Sequence, residues 1–132
     1  EGAAAAPLAA FLHDGLKDLR GKRVVLTLCG GNIDLTILDR IIEVGLVADG
    51  RLCRFNVVIS DRPGGLARLA ALIASVGASI KDIAHDRTFS GPDVATVRAV
   101  CIVETHDRDH IARLYQTIRA AGIELVPDTG TV

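Results

Sequence analysis

Aromatic residues are nearly missing from this chain of 132 residues: Phe, Tyr and Trp make up 3% and Trp is absent. Stacking platforms for single-stranded nucleic acid therefore have little to build on. Neither sign of charge dominates, since 15 Lys and Arg stand against 16 Asp and Glu, interspersed, for a net charge of -1. No basic stripe is available to meet a phosphate backbone. No apolar run approaches the roughly 20 residues a membrane span needs. The start, Glu1-Gly2-Ala3-Ala4, lacks an initiator Met and the basic and apolar regions of a signal peptide. It reads as a cut through a longer protein. Cysteine is scarce as well. Cys29, Cys53 and Cys101 are widely spaced, odd in number and without CxxC spacing, which argues against a disulfide framework or a zinc ribbon. These absences exclude nucleic acid and membrane as expected partners and point to a reducing cytoplasm.

What is present is apolar material for a core, 49% of the chain, arranged with changing period. Ala3 to Leu19 reads as an Ala-rich helix, bent near Pro7 and weakened at Gly15. Arg23–Leu28 (RVVLTL) reads as a fully buried strand, and Cys29-Gly30-Gly31-Asn32 as a tight turn. A helix follows over about Leu35–Val44, with Asp34 or Asn32 as its cap and Gly45 as its stop. Two helices and one buried strand cannot close a core, so this piece reads as the edge of a larger α/β fold. After Ala48-Asp49-Gly50 the pattern changes. Strand 51–60, helix 64–77, strand 80–89, a Ser90-Gly91-Pro92-Asp93 turn, strand 94–104, helix 107–121 and strand 123–126 follow in order. The order βαββαβ is the ferredoxin-like split unit, an antiparallel sheet with both helices on one face. The fold class is thus α+β, with residues 1–48 as an incomplete piece and 49–132 as a domain. In the strand 94–104, Ala95, Val97, Ala99, Cys101 and Val103 share one face, and Val94, Thr96, Arg98, Val100 and Ile102 the other. That second face is also fairly apolar, as a covered face would be.

The segment Asp61-Arg62-Pro63-Gly64-Gly65-Leu66 joins a strand to a helix N-terminus, where backbone N–H groups have no intrahelical partner. Two glycines leave those groups unshielded, and such a turn favours a small anion, a carboxylate included. The plainer alternative is a strand-to-helix connection with Pro at the first helical position.

The Asp61–Leu66 turn, the later Gly77-Ala78-Ser79-Ile80 and the βαββαβ order together resemble an ACT domain, a regulatory module that binds amino acids at subunit interfaces. The resemblance covers about residues 51–126. It implies that N–H groups near Gly64, Gly65 and Leu66 hold a ligand carboxylate and that Asp61 or a carbonyl near Ser60 takes its ammonium. Ser79 and Ile80 of a neighbouring subunit would complete the pocket. Many amino-acid-binding members carry Asn where this chain has Ser79, which leaves the ligand open.

The first third carries a second resemblance. Glu1-Gly2-Ala3-Ala4-Ala5, an Ala-rich helix, and Leu28-Cys29-Gly30-Gly31-Asn32-Ile33-Asp34 look like the end of the catalytic domain of threonine ammonia-lyase, a pyridoxal-phosphate enzyme of fold type II. The resemblance implies that Cys29 touches the cofactor's pyridine nitrogen and places Glu1 near the cofactor pocket. A neutral thiol there makes the cofactor a milder electron sink, which suits β-elimination. A lyase tail with one ACT module implies a regulatory, oligomer-forming portion of a threonine or serine ammonia-lyase that makes 2-oxobutanoate and ammonia. Isoleucine or valine is the expected effector. The alternative is an ACT-like module that only assembles subunits. Lys17, Lys22 and Lys81 are the only lysines, and none matches the family's Schiff-base position. The chain by itself is therefore expected to hold no pyridoxal phosphate and to deaminate nothing.

Other motifs read as ordinary structure. His106 and His110 have the i, i+4 spacing of a helical metal pair, but Thr105 or Asp107 as a cap would leave His106 outside the first turn. No metal site is expected. His85 with Asp86 and Arg87 reads as a surface hydrogen-bonding group, and His13 carries no signal.

Overall fold

Apolar side chains at every second position give a strand one face to bury, and two segments of this chain do so along their whole length. They are β1 (Leu52–Ser60) and β3 (Thr96–Glu104), antiparallel with Leu52 opposite Glu104 and Ser60 opposite Thr96. β2 (Ser79–Asp86) lies on the other side of β3, and the short β4 (Glu124–Val126) beside β1, both antiparallel. The resulting order, β2-β3-β1-β4, is that of the expected ferredoxin-like unit. A register shift between Ile80 and Asp82 puts an extra residue, Lys81, into the edge strand β2. These facts come from a computed structural model that describes residues 1–13, 16–86 and 95–127. The Ser90–Asp93 turn, Gly15, Arg87–Phe89 and Val94 lie outside the described residues.

Two helices cover one face of the sheet. Helix α3 (Gly65–Ser75) buries Leu69 and Ile73, and α4 (Arg108–Ala120) buries His110, Leu114 and Ile118, each set at helical spacing. Against them stand Cys53, Phe55, Val57 and Ile59 of β1 and Val97, Ala99, Cys101 and Val103 of β3. Phe55 meets Tyr115 edge-on at 5.6 Å. Thr96, Arg98, Val100 and Ile102 take the opposite face and are half-buried, as the alternation in β3 requires. Both helices end in the same way. Gly77 (φ 80°) donates to Ala74 O and Ala78 N–H to Ile73 O; Gly122 (φ 75°) donates to Arg119 O and Ile123 N–H to Ile118 O. A left-handed glycine that closes the last turn in this pattern is a Schellman motif.

The chain divides into two compact units, Glu1–Ile42 and Glu43–Val132, and the division falls inside a helix. In the first unit, α1 (Gly2–Leu12) contains Pro7 and ends at Leu12, short of the expected Leu19, and a 3-10 turn follows at Lys17–Leu19. Arg23–Leu28 is not the buried strand its composition predicts. It pairs with no strand among the described residues, and Val25 is 91% exposed. The reason is that a strand exists through its neighbours' hydrogen bonds, and all four strands described belong to the other unit. Helix α2 (Leu35–Ala48) starts on Asp34, whose carboxylate accepts from Thr36 N–H (2.8 Å), Thr36 Oγ1 (2.5 Å) and Ile37 N–H (3.3 Å). The Thr36 side chain, then the Thr36 and Ile37 amides, hold this carboxyl below the usual range. Asn32 is thus not the cap. Gly45 does not stop the helix either; α2 runs on to Ala48, since an interior glycine costs only about 1 kcal/mol against Ala.

Candidate ligand site at the Asp61–Leu66 turn

Because β1 and β2 run parallel to each other on either side of β1's and β2's common partner β3, their C-terminal ends meet at the start of β3. Ser60 pairs with Thr96, and Asp86 with Arg98. The turn leaves β1 at this end of the sheet. Asp61 N–H donates to Ala95 O (3.0 Å) and Arg62 N–H to Ser60 Oγ (3.3 Å), which fixes the chain's exit. Gly64 then adopts φ 97°, a left-handed conformation that costs other residues about 1–2 kcal/mol, and no atom lies within 4 Å of the place a Cβ would occupy. Gly65 is required for a different reason: a Cβ there would sit 2.1 Å from the Ser60 carbonyl oxygen.

The helix N-terminus is less open than the sequence predicts. Gly65 N–H is already bonded to Arg62 O at 3.1 Å, so it is not an available anion donor in this arrangement. Arg68 N–H, bonded to Gly64 O at 2.9 Å, is the first amide with a regular helical acceptor. Between them lie the first-turn amides of Leu66 and Ala67, for which α-helical geometry supplies no partner. Leu66 is 40% exposed although its spacing matches the core stripe. Ser60, Asp61, Arg62, Pro63, Gly64, Leu66 and His85 line a shallow concavity of about 250 Å³. His85 was not among the expected site residues. The signal for it lies in topology: only the parallel placement of β1 and β2 brings the end of β2 to this turn.

Ser79 and Ile80 are not part of the same concavity. Ser79 pairs with Glu104, at the far end of β3 from Thr96, so it stands about 26 Å from the turn at roughly 3.3 Å per residue. Within one chain the two sets of expected effector residues cannot meet.

In the first unit, Cys29 is exposed at its turn. Gly30 has φ 107°, and a Cβ there would lie 2.6 Å from a Glu1 carboxylate oxygen, so Glu1 stands against the Cys-Gly-Gly turn. A pyridoxal-type cofactor needs a lysine, a phosphate cradle and a ring partner. These residues fit a ring contact alone.

His106 and His110 stack at 5.0 Å, but both nitrogens of His110 are engaged. Nδ1 accepts from His106 N–H (3.1 Å) and Nε2 donates to Val76 O (2.9 Å), which fixes a neutral tautomer and leaves no lone pair for a metal. Asp107 is the cap of α4, accepting from His110 N–H at 2.7 Å. Thr105 does other work, donating to Gly50 O. Among the described residues, no helix is long and apolar enough to cross a membrane.

No protein-family model matches the chain. It is 40% identical over 122 residues to an L-threonine ammonia-lyase of Geobacter sulfurreducens and 34% identical over 125 residues to one of Thermotoga maritima. These alignments cover 92% and 95% of this chain but only 30% and 31% of the relatives, so the chain spans about a third of the length of the curated relatives it matches. The chain is therefore akin to the C-terminal part of the L-threonine ammonia-lyases, and its second unit carries a ferredoxin-like fold.

Proposed function

We propose that this chain is the effector-sensing, subunit-joining portion of a pyridoxal-phosphate-dependent threonine or serine ammonia-lyase. The observation that carries this is the Asp61–Leu66 turn, with Gly64 open to solvent above first-turn amides, in a chain similar to threonine ammonia-lyases. In this reading the Leu66 amide and its neighbour hold the carboxylate of isoleucine or valine. Asp61 takes the ammonium, and Ser79 and Ile80 come from a second copy, since within one chain they stand at the opposite end of the sheet. Binding to one quaternary state better than the other then shifts activity.

Residues 1–48 would be the end of the catalytic domain. Exposed Val25, Leu28 and Leu35 support this, because they are the surface a segment leaves bare when the rest of its core is elsewhere. When bound in the intact enzyme, pyridoxal phosphate supplies the electron sink for loss of the β-substituent. Cys29 would hold the ring nitrogen through a neutral thiol and Glu1 would border the pocket.

The test is calorimetric titration of the full-length polypeptide with isoleucine, valine and serine, alongside Gly64→Asp. The space above Gly64 is open and Asp tolerates a left-handed backbone, so the variant folds while placing a negative charge on the cradle. Loss of heat and of effector response with oligomer size kept supports sensing. No heat from any of the ligands with the unmodified protein refutes it. The second reading, assembly without sensing, is favoured by the half-buried Val58, Val100 and Ile102 on the sheet face away from the helices. It requires Gly64→Asp to leave activity and response unchanged.

A further inference from the structure

Helix α2 closes on a set of contacts that the candidate ligand site does not use. Gly50 is buried with φ 71°; its N–H donates to Val47 O (3.1 Å) and Arg51 N–H to Leu46 O (2.7 Å), a third Schellman motif. A Cβ at Gly50 would lie 2.7 Å from Arg108 Cγ and 2.8 Å from the Arg108 nitrogen, so the linker rests directly on the start of α4. There Thr105 Oγ1 donates to Gly50 O at 2.7 Å in a buried setting, and Thr105 N–H to Arg51 O at 3.0 Å. The Arg108 guanidinium donates to Ala48 O at 2.8 Å, a cation on the carbonyl end of a helix. Lys81 of β2 pairs with Glu43 of α2 at 2.5 Å.

The same start of α4 is tied to the far end of α3. His110 Nε2 donates to Val76 O, the residue after α3, while the N-terminus of α3 is the Gly64 turn itself. Helix α3, His110, the first turn of α4, Thr105 with Arg108, and the end of α2 thus form a continuous packed series. The end of α2 meets the domain through these contacts and through the Lys81–Glu43 pair.

We propose that Thr105 and Arg108 form a latch that couples the ligand turn to α2, and through α2 to the polypeptide that precedes it. The proposal rests on the effector-sensing reading above. A packed interior has discrete arrangements and does not deform continuously, so a ligand that moves the start of α3 is felt at Val76 and His110. The latch converts that movement into a change at Gly50 and Ala48. It is a positioning device and touches neither ligand nor reacting atoms.

The experiment uses the full-length polypeptide with Thr105→Val, Thr105→Ser and Arg108→Leu, with isoleucine and valine as probes. Binding is read by calorimetry, and activity by ammonia release from threonine. Thr105→Val and Arg108→Leu should keep basal activity and bind the effector as tightly as the unmodified protein or tighter, because binding no longer has to drive the switch. Maximal effector response should weaken at least fivefold in both, and Thr105→Ser, which keeps the hydroxyl, should respond normally. Arg108 is exposed, so its variant folds even if loss of the buried hydroxyl bond proves disruptive. Undiminished response in Arg108→Leu, or loss of binding together with response, overturns the latch and leaves the sensing reading standing. If the unmodified protein neither binds nor responds to isoleucine or valine, both fall.

Discussion

The carbonyl oxygen of Ser60 occupies the space that a side chain at Gly65 would need, leaving 2.1 Å to a Cβ. The end of β1 and the start of α3 can approach this closely only because residue 65 is glycine. Gly65→Ala should therefore destabilise the chain by about 3 kcal/mol or more. Gly64→Ala, strained in φ but with free space, should cost only about 1–2 kcal/mol. Urea unfolding of both variants measures the difference, and equal costs would contradict the close approach.

His110 is 1% exposed and joins Val76 O to His106 N–H, so it serves as a buried crosslink between the end of α3 and the start of α4. His110→Leu keeps the bulk but strands both backbone groups, at an expected cost of about 2–4 kcal/mol. Amide exchange at Gly77 and Ala78 should accelerate in this variant beyond what global destabilisation accounts for. A cost below about 1 kcal/mol would show that water replaces the imidazole without penalty.

Burial pushes the Cys101 thiol from the ordinary 9.0 up to about 12, and burial likewise raises Cys53 and Tyr115. The folded chain holds these protons more tightly than the unfolded chain. The contribution of Cys101 to stability is thus fully present below its unfolded value of 9.0 and is lost as pH rises towards about 12. Denaturant midpoints should fall across that window, less steeply in Cys101→Val. At about pH 8 a disulfide reagent should modify exposed Cys29 promptly and reach Cys53 and Cys101 only on unfolding. Equal reactivity of all the thiols would refute the buried placement.

Val25 and Val97 each lie in a segment the sequence reads as a strand with buried side chains, yet one is 91% exposed and the other 0%. In this chain Val25→Ser should change stability by no more than about 0.5 kcal/mol. Val97→Ala should cost about 1–3 kcal/mol through the lost burial and the cavity. Thermal melts of the two variants decide it. If residues 1–48 belong to a larger catalytic domain, Val25→Ser becomes damaging in the full-length polypeptide, and a neutral result there would count against that assignment.

How much of this was legible beforehand depended on whether the cause was local. The ferredoxin-like order was readable because each of its elements carries its own period, and because Gly77 and Gly122 close their helices through contacts within one turn. Asp34 and Asp107 were each one of two candidate caps for α2 and α4 for the same reason, since a cap needs only the next three residues, and the structure chose between them. Read from the sequence, α2 stops at Gly45 and Gly50 lies in the linker, and nothing near either glycine separates the two. Contact with Thr105 and Arg108, more than fifty residues away, accompanies the true one.

The amino-acid sequence by itself determined the elements of the ferredoxin-like unit, their order, and a glycine turn between β1 and α3, because backbone sterics and side-chain period act over a few residues. Tertiary structure alone decided that the Gly65 amide is already occupied, that His85 joins the turn, and that Ser79 stands at the opposite end of the sheet. It also decided that Arg23–Leu28 forms no strand here. Each of these depends on which segments meet across the sheet, and hydrogen-bond partners, unlike helix caps, can be supplied from any distance along the chain.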